Sequence, residues 1–274
     1  FYRENYKKGI YGESMVNGNE MKRRISKDLL NPLAFSIATT DMFYRFKKHD
    51  DGKYIYTKDR GWFFEKNLIE NLNCFEGKRI LDYKLPEYHS DIPMMIFSPS
   101  VVNDGRRLLI SPQKITFLCN TDTSLFSEKI ALENIEFSTL FNKNDPQYLK
   151  ISSAMRMNAT FPYILPMVFL PSEPKIEVMD AGLRDNLGLT TSIKYIDNFK
   201  NWIHEHTSGV VIIQLRDREK KTKIKDKQSG SLISKLFTPL TNVYGNFLKI
   251  QDYRNDEMLN QLKSSFKGDI HYVE

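Results

Sequence analysis

Apolar residues in the first ninety positions recur at helical spacing. Ile25, Leu29, Leu33 and Ile37 stand four residues apart and predict a helix over 21–45. Pro32 should kink or split it, because proline lacks an amide donor and crowds the preceding turn. A second helix is predicted from near Asp59, carrying Trp62, Phe63, Leu68, Ile69 and Leu72, with Asp51-Gly52 marking a turn before it. The pattern then changes. Positions 92–102 open with a near-continuous apolar run, as expected of a strand buried on both faces. Asn103-Asp104-Gly105 reads as a turn, 106–111 as a returning strand and 115–119 as a third. Asp145-Pro146 predicts a helix through Met157, with Asp as N-cap and Pro at the first helical position. Further on, 175–179 reads as a short strand, 189–204 as an amphipathic helix and 209–215 as a buried strand. Helices over 231–250 and 256–266 and a strand over 270–273 complete the chain. Strands alternating with helices predict an α/β fold with a largely parallel sheet. Nothing marks an internal repeat or a clean boundary, so one domain is expected over 1–274, mainly helical over 1–90 and sheet-forming over 91–274.

Composition then removes several classes. With 274 residues, 41% hydrophobic and 27% charged, the chain can bury a core that needs no staples. Two cysteines, Cys74 and Cys119, cannot make a disulfide framework or a Cys-rich zinc site, which excludes a small secreted scaffold. The longest stretch without a charge, 157–172, is too short for a transmembrane helix and contains Pro162, Pro166 and Pro171. Residues 1–8 are polar and aromatic with no signal-peptide core, so a cytoplasmic or peripheral membrane location is expected. The net charge of +6 is concentrated over 216–227, where seven basic side chains face three acidic ones. That block reads as an exposed loop. It is either a solvated loop without a partner or an attachment to an anionic surface, lipid headgroups above all. No aromatics interleave the basic residues and no nucleic-acid module is present, so nucleic acid is not expected as a partner. Met42-Phe43-Tyr44-Arg45-Phe46-Lys47-Lys48 mixes apolar and basic residues, either as a membrane-interface segment or as a helix end packed in the core.

Candidate chemistry is sparse outside one segment. There is no phosphate-binding Gly-Lys loop and no dinucleotide fingerprint, and Asp50-Asp51-Gly52 is too short for a calcium loop. His204 and His206 are two residues apart, so on a helix they point to different faces. No cofactor and no metal are expected. Asp180, by contrast, falls at the carboxyl end of a predicted strand and is followed by Ala181 and Gly182. In open α/β sheets that edge is where ligands bind. The same residues also fit an Asx turn in which Asp180 caps the next helix.

Ser153-Ala154, Phe161-Pro162, Asp180-Ala181-Gly182 and Asn186 occur in an order and spacing that resembles the patatin-like phospholipase family of lipid acyl hydrolases. Upstream, the 92–97 run and Asp104-Gly105-Arg106-Arg107 resemble that family's strand, turn and Gly-Arg return. The likeness covers 92–189, about a third of the chain. It implies a three-layer α/β sandwich, no cofactor, and a Ser–Asp dyad. Asp180 would be the general base, Gly182 and Asn186 would form its supporting turn, and a serine would attack a lipid ester. Two departures stand out. Ala181 occupies the position of the family's first glycine, which would strain the turn if that position requires a positive φ. The nucleophile is also missing from its place. Ser14, in Gly12-Glu13-Ser14-Met15-Val16, lacks the second glycine and the preceding strand of a nucleophile elbow, so the serine is expected N-terminal to Phe1. The rival expectation is a patatin-like scaffold that binds lipid or a protein partner without turnover.

Overall fold

The computed structural model describes residues 19–27, 29, 48–50, 55–72, 74–119, 133–160, 165–216, 220, 232–266 and 268–274. The chain divides into two units, one comprising 1–115 and 133–180, the other 116–132 and 181–274.

In the first unit, α1 (Asn19–Ile25) precedes a short hairpin, β1 (Lys48–Asp50) and β2 (Ile55–Thr57), and then α2 (Arg60–Leu72). Helix α1 ends at Ile25, and Ser26, Lys27 and Leu29 lie in a turn and bends rather than in the helix expected over 21–45; residue 28 and residues 30–45 of that span lie outside the described residues. Helix α2 starts where the sequence predicts, with Asp59 Oδ1 accepting the Trp62 amide at 2.9 Å. Phe64, Leu68 and Leu72 recur every four residues and face one cluster with Cys74 and Leu165. A 3-10 turn (Ile80–Tyr83) runs directly into α3 (Lys84–Tyr88).

Five strands form the sheet of this unit: β3 (Ser100–Val101), β4 (Arg107–Leu109), β5 (Asn134–Glu136), β6 (Val168–Leu170) and β7 (Ile176–Met179). Their order is β5-β4-β3-β7-β6. Only β4 and β5 run parallel; the β3–β4, β3–β7 and β6–β7 pairs are antiparallel. The fold is therefore α/β with a mixed sheet, and the expected mostly parallel sheet is corrected. Loop length is the reason. Short links over 102–106 and 171–175 join β3 to β4 and β6 to β7, whereas parallel neighbours need a crossover of about a dozen residues. Gly105, at φ +76°, takes the left-handed position that the first of these turns requires.

One face of the sheet presents Val101, Leu108, Leu170 and Val178 to Ile151, Ala154 and Met157 of α5 (Ile151–Asn158), with Ile80 and Tyr83 closing the cluster. Among the alternate positions Ser100, Arg107, Asn134 and Glu136 are buried and polar. Arg107 is 1% exposed, and its guanidinium is held by Asn134 Oδ1 at 2.8 Å and by Glu133 at 3.2 Å. A cation out of water requires such partners.

Other expectations change for identifiable reasons. The run over 92–102 pairs at Phe97, which bridges Ile110, and at Ser100–Val101, so it is not one long strand. The helix expected from Asp145 is split into a 3-10 turn (Pro146–Tyr148) and α5. The Ile80 amide donates to Leu149 O at 2.9 Å and the Ile151 amide to Lys78 O at 3.1 Å, pulling Lys150 into an extended conformation between them. Asp145 itself sits at φ +47° and makes no side-chain cap.

In the second unit the stretch expected as a strand over 115–119 is a 3-10 turn, Thr116–Leu118. After a short α6 (Gly182–Asp185), helix α7 (Leu189–His206) leads to β8 (Gly209–Ile213). The long α8 (Leu232–Ser265) then crosses over to β9 (Asp269–Val273), which pairs with β8 in parallel. Here a βαβ connection supports the parallel arrangement. The two helices expected over 231–266 are one, because the polar stretch 251–255 contains no Gly or Pro to end it. Leu189, Ile193, Ile196 and Ile203 of α7 cluster with Ile212, Leu259, Leu262 and Phe266.

Candidate functional site

Asp180 is half-buried immediately after β7, with its amide donating to Thr160 O at 3.2 Å. Ala181 has φ −59° and ψ −28°, ordinary right-handed geometry that any residue adopts. The Ala181 methyl group therefore causes no backbone strain. At the start of α7 a carboxylate from Asp185 meets the first turn of the helix. That carboxylate, 2% exposed, accepts the Thr190 amide at 3.0 Å, the Thr191 amide at 2.9 Å and the Thr191 hydroxyl at 2.8 Å. It thereby satisfies donors in the first turn of α7.

Gly182 is buried and Asn186 is exposed. One side chain from α8 joins them: Gln251 Oε1 accepts the Asn186 amide at 3.1 Å, and Gln251 Nε2 donates to Gly182 O at 2.8 Å. Gly188, at φ +68°, turns the chain into α7. Two residues of this region, Asp185 and Gln251, were not singled out by sequence reasoning. Asp185 carried a local signal, a carboxylate shortly before Thr190-Thr191 at the start of an amphipathic run. Gln251 carried none, since its contacts lie 65 and 69 residues away.

Ser153 does not project towards a vacant base. Its hydroxyl donates to Glu65 Oε2 at 2.9 Å, and the Ser152 hydroxyl donates to the same oxygen at 3.0 Å. Arg156 bridges Glu65 at 3.5 Å and Asp59 at 3.3 Å, tying α5 to α2. A Cβ on Gly61 would collide with the Arg156 guanidinium, so glycine makes room for this bridge. Beside it lies a cavity of about 530 Å³ bordered by Trp62, Glu65, Cys74, Phe75 and Ser152. Phe75, at φ +71°, is held in the left-handed region.

At the root of the basic stretch, two cations are already engaged. Arg216 pairs with both oxygens of Asp252 at 2.8 and 3.0 Å and with Glu274 at 2.9 Å, and the Asp252 hydrogen bonds raise its pKa. Lys220 pairs with Asp256, one helical turn further along α8. The remaining cations of 216–227 lie outside the described residues. Nearby, burial and then Glu274 push the Tyr272 hydroxyl up to about 12. His206 stacks on Trp202 with ring centroids 4.9 Å apart, and its Nδ1 lies 2.9 Å from Trp202 O. Cys74 and Cys119 are buried free thiols. Among the described residues no helix is long and apolar enough to cross a membrane. Ser14, Phe161-Pro162 and the 42–47 segment lie outside the described residues.

Comparison of the chain with protein-family models, curated proteins and solved structures gives no match.

Proposed function

We propose that this chain is the larger part of a patatin-like lipid acyl hydrolase, acting on carboxylic esters of phospholipid or lysophospholipid type. Asp180 serves as general base for a serine placed N-terminal to Phe1. The observation that carries the reading is the placement of Asp180: half-buried, directly after β7, ahead of a turn whose Ala181 is unstrained and whose Gly182 and Asn186 are held together. In this mechanism Asp180 accepts the serine hydroxyl proton as the oxygen attacks the ester carbonyl. The alcohol leaves with that proton, and water, deprotonated by the same carboxylate, releases the acyl group. The finer architecture, a three-layer sandwich, belongs to the same reading. So do a cytoplasmic or peripheral location, a lipid substrate, and contact of the 216–227 stretch with an anionic membrane.

A non-catalytic lipid-binding or partner-binding scaffold is the competing reading. It draws support from the missing second glycine at Ser14 and loses the support it would have drawn from a strained Ala181. Treating the protein as the cell makes it with a fluorophosphonate and mapping the labelled peptide separates the two. Labelling of a serine N-terminal to Phe1 supports the hydrolase; labelling of Ser14 moves the nucleophile into this chain; a folded protein with no labelled serine leaves the scaffold. In a protein that labels, Asp180→Asn should lower ester hydrolysis at least about a hundredfold with little change in stability. Near-normal turnover would remove Asp180 from the mechanism.

A further inference from the structure

Gly182 O and the Asn186 amide are four residues apart, the spacing at which they would bond each other if α6 continued for one more residue. Asn186 has helical angles (φ −52°, ψ −33°), so its backbone conformation alone does not end the helix. The Gln251 carboxamide occupies the place of that bond. It donates to the carbonyl from Nε2 and accepts the amide at Oε1, so both backbone groups remain satisfied while the turn is wedged open. Of the residues with side chains this long, only glutamine offers a neutral donor and acceptor from one planar group.

We propose that Gln251 is a positioning residue for the hydrolase reaction: its carboxamide sets the geometry of the turn that follows Asp180 and on which Gly182 and Asn186 lie. This rests on the function proposed above. Gln251 touches no reacting atom. It acts through the turn, and misplacement on the scale of an ångström can cost about a hundredfold in rate. Two variants separate positioning from simple structural support. Gln251→Met keeps the length and removes both hydrogen bonds. Gln251→Glu keeps the acceptor for Asn186 but loses the donor to Gly182 while ionised, and regains a donor once its carboxyl is protonated.

In the full-length protein with a soluble ester, Gln251→Met should lower kcat about ten- to a hundredfold with KM unchanged. Gln251→Glu should fall between that variant and wild type. Its kcat relative to wild type should recover as pH falls towards the ordinary carboxyl range near 4, which mere loss of folded protein would not produce. Amide hydrogen exchange reads the clamp without turnover, and Asn186 should exchange at least about tenfold faster in Gln251→Met than in wild type. Equal exchange in both proteins would show that the clamp is absent and overturn the inference whatever the activity. If Asp180→Asn abolishes hydrolysis while Gln251→Met keeps wild-type kcat, the positioning role is overturned and the proposed function stands. If Asp180→Asn hydrolyses normally, the proposed function falls and this inference falls with it.

Discussion

Replacing Asp185 with Ala removes three hydrogen bonds from a single buried carboxylate. The Thr190 and Thr191 amides lose acceptors at 3.0 and 2.9 Å, and the Thr191 hydroxyl loses one at 2.8 Å. Hydrogen bonds to an ionised group contribute about 1.5–3 kcal/mol each, and loss of a helix cap alone costs about 1 kcal/mol. Thr190 is 4% exposed and Thr191 8%, so their donors cannot simply turn to bulk solvent. The contributions do not add fully, and a water can enter the vacated space. Together these give an expected loss of about 3–5 kcal/mol for Asp185→Ala. Asp185→Asn keeps the shape but has one acceptor oxygen, and its amide nitrogen would face a donor, so about half that loss is expected. Urea unfolding followed by circular dichroism measures both, with hydrogen exchange at Thr190 and Thr191 locating the effect. For a chain of this length each kcal/mol corresponds to about 2–4 °C in Tm. A loss below about 1 kcal/mol for Asp185→Ala, the size of an average substitution, would refute the claim that this carboxylate anchors the start of α7.

Two further outcomes follow from the first unit. Gly61→Ala puts a methyl group where the Arg156 guanidinium lies, and should cost about 1–3 kcal/mol by displacing the bridge between Asp59 and Glu65; unchanged thermal stability would mean that the bridge moves aside freely. Glu87 accepts the Met95 amide at 2.8 Å, and burial pushes its carboxyl above the usual range against the opposing hydrogen bonds of Met95 and Gln113. A raised carboxyl pKa contributes stability below the unfolded value near 4.3 that is lost as pH rises through the folded value. Glu87→Gln should therefore gain on wild type as pH rises across that window, and parallel stability curves from pH 3 to pH 8 would remove burial as the cause.

The helices were legible because burial recurs with the period of the backbone. Phe64, Leu68 and Leu72, and likewise Leu189, Ile193 and Ile196, announce their faces at spacings of three and four without reference to anything distant. Asp59 announced the start of α2 for the same reason, since a cap bonds only two or three residues ahead. Strands were read less well. Strands β3 and β4 are two and three residues long and gain their identity from partners, so the apolar run before them looked like a longer strand than the pairing allows. The turn at Gly105 was visible and already implied an antiparallel pair; the alternation of helices and strands outweighed it in the expectation of a parallel sheet.

The sequence by itself determined the α/β class, the position of the main helices, and the occurrence of Asp180 at a strand's carboxyl end. All of these depend on contacts within about a turn of helix or along one strand. Tertiary structure alone decided the sheet order, the Glu65 partner of Ser153, and the Gln251 wedge in the turn after Asp180. Hydrogen bonds spanning 65 to 88 residues leave no periodicity in the chain, because any residue of the right chemistry satisfies them once folding has brought it within 3 Å.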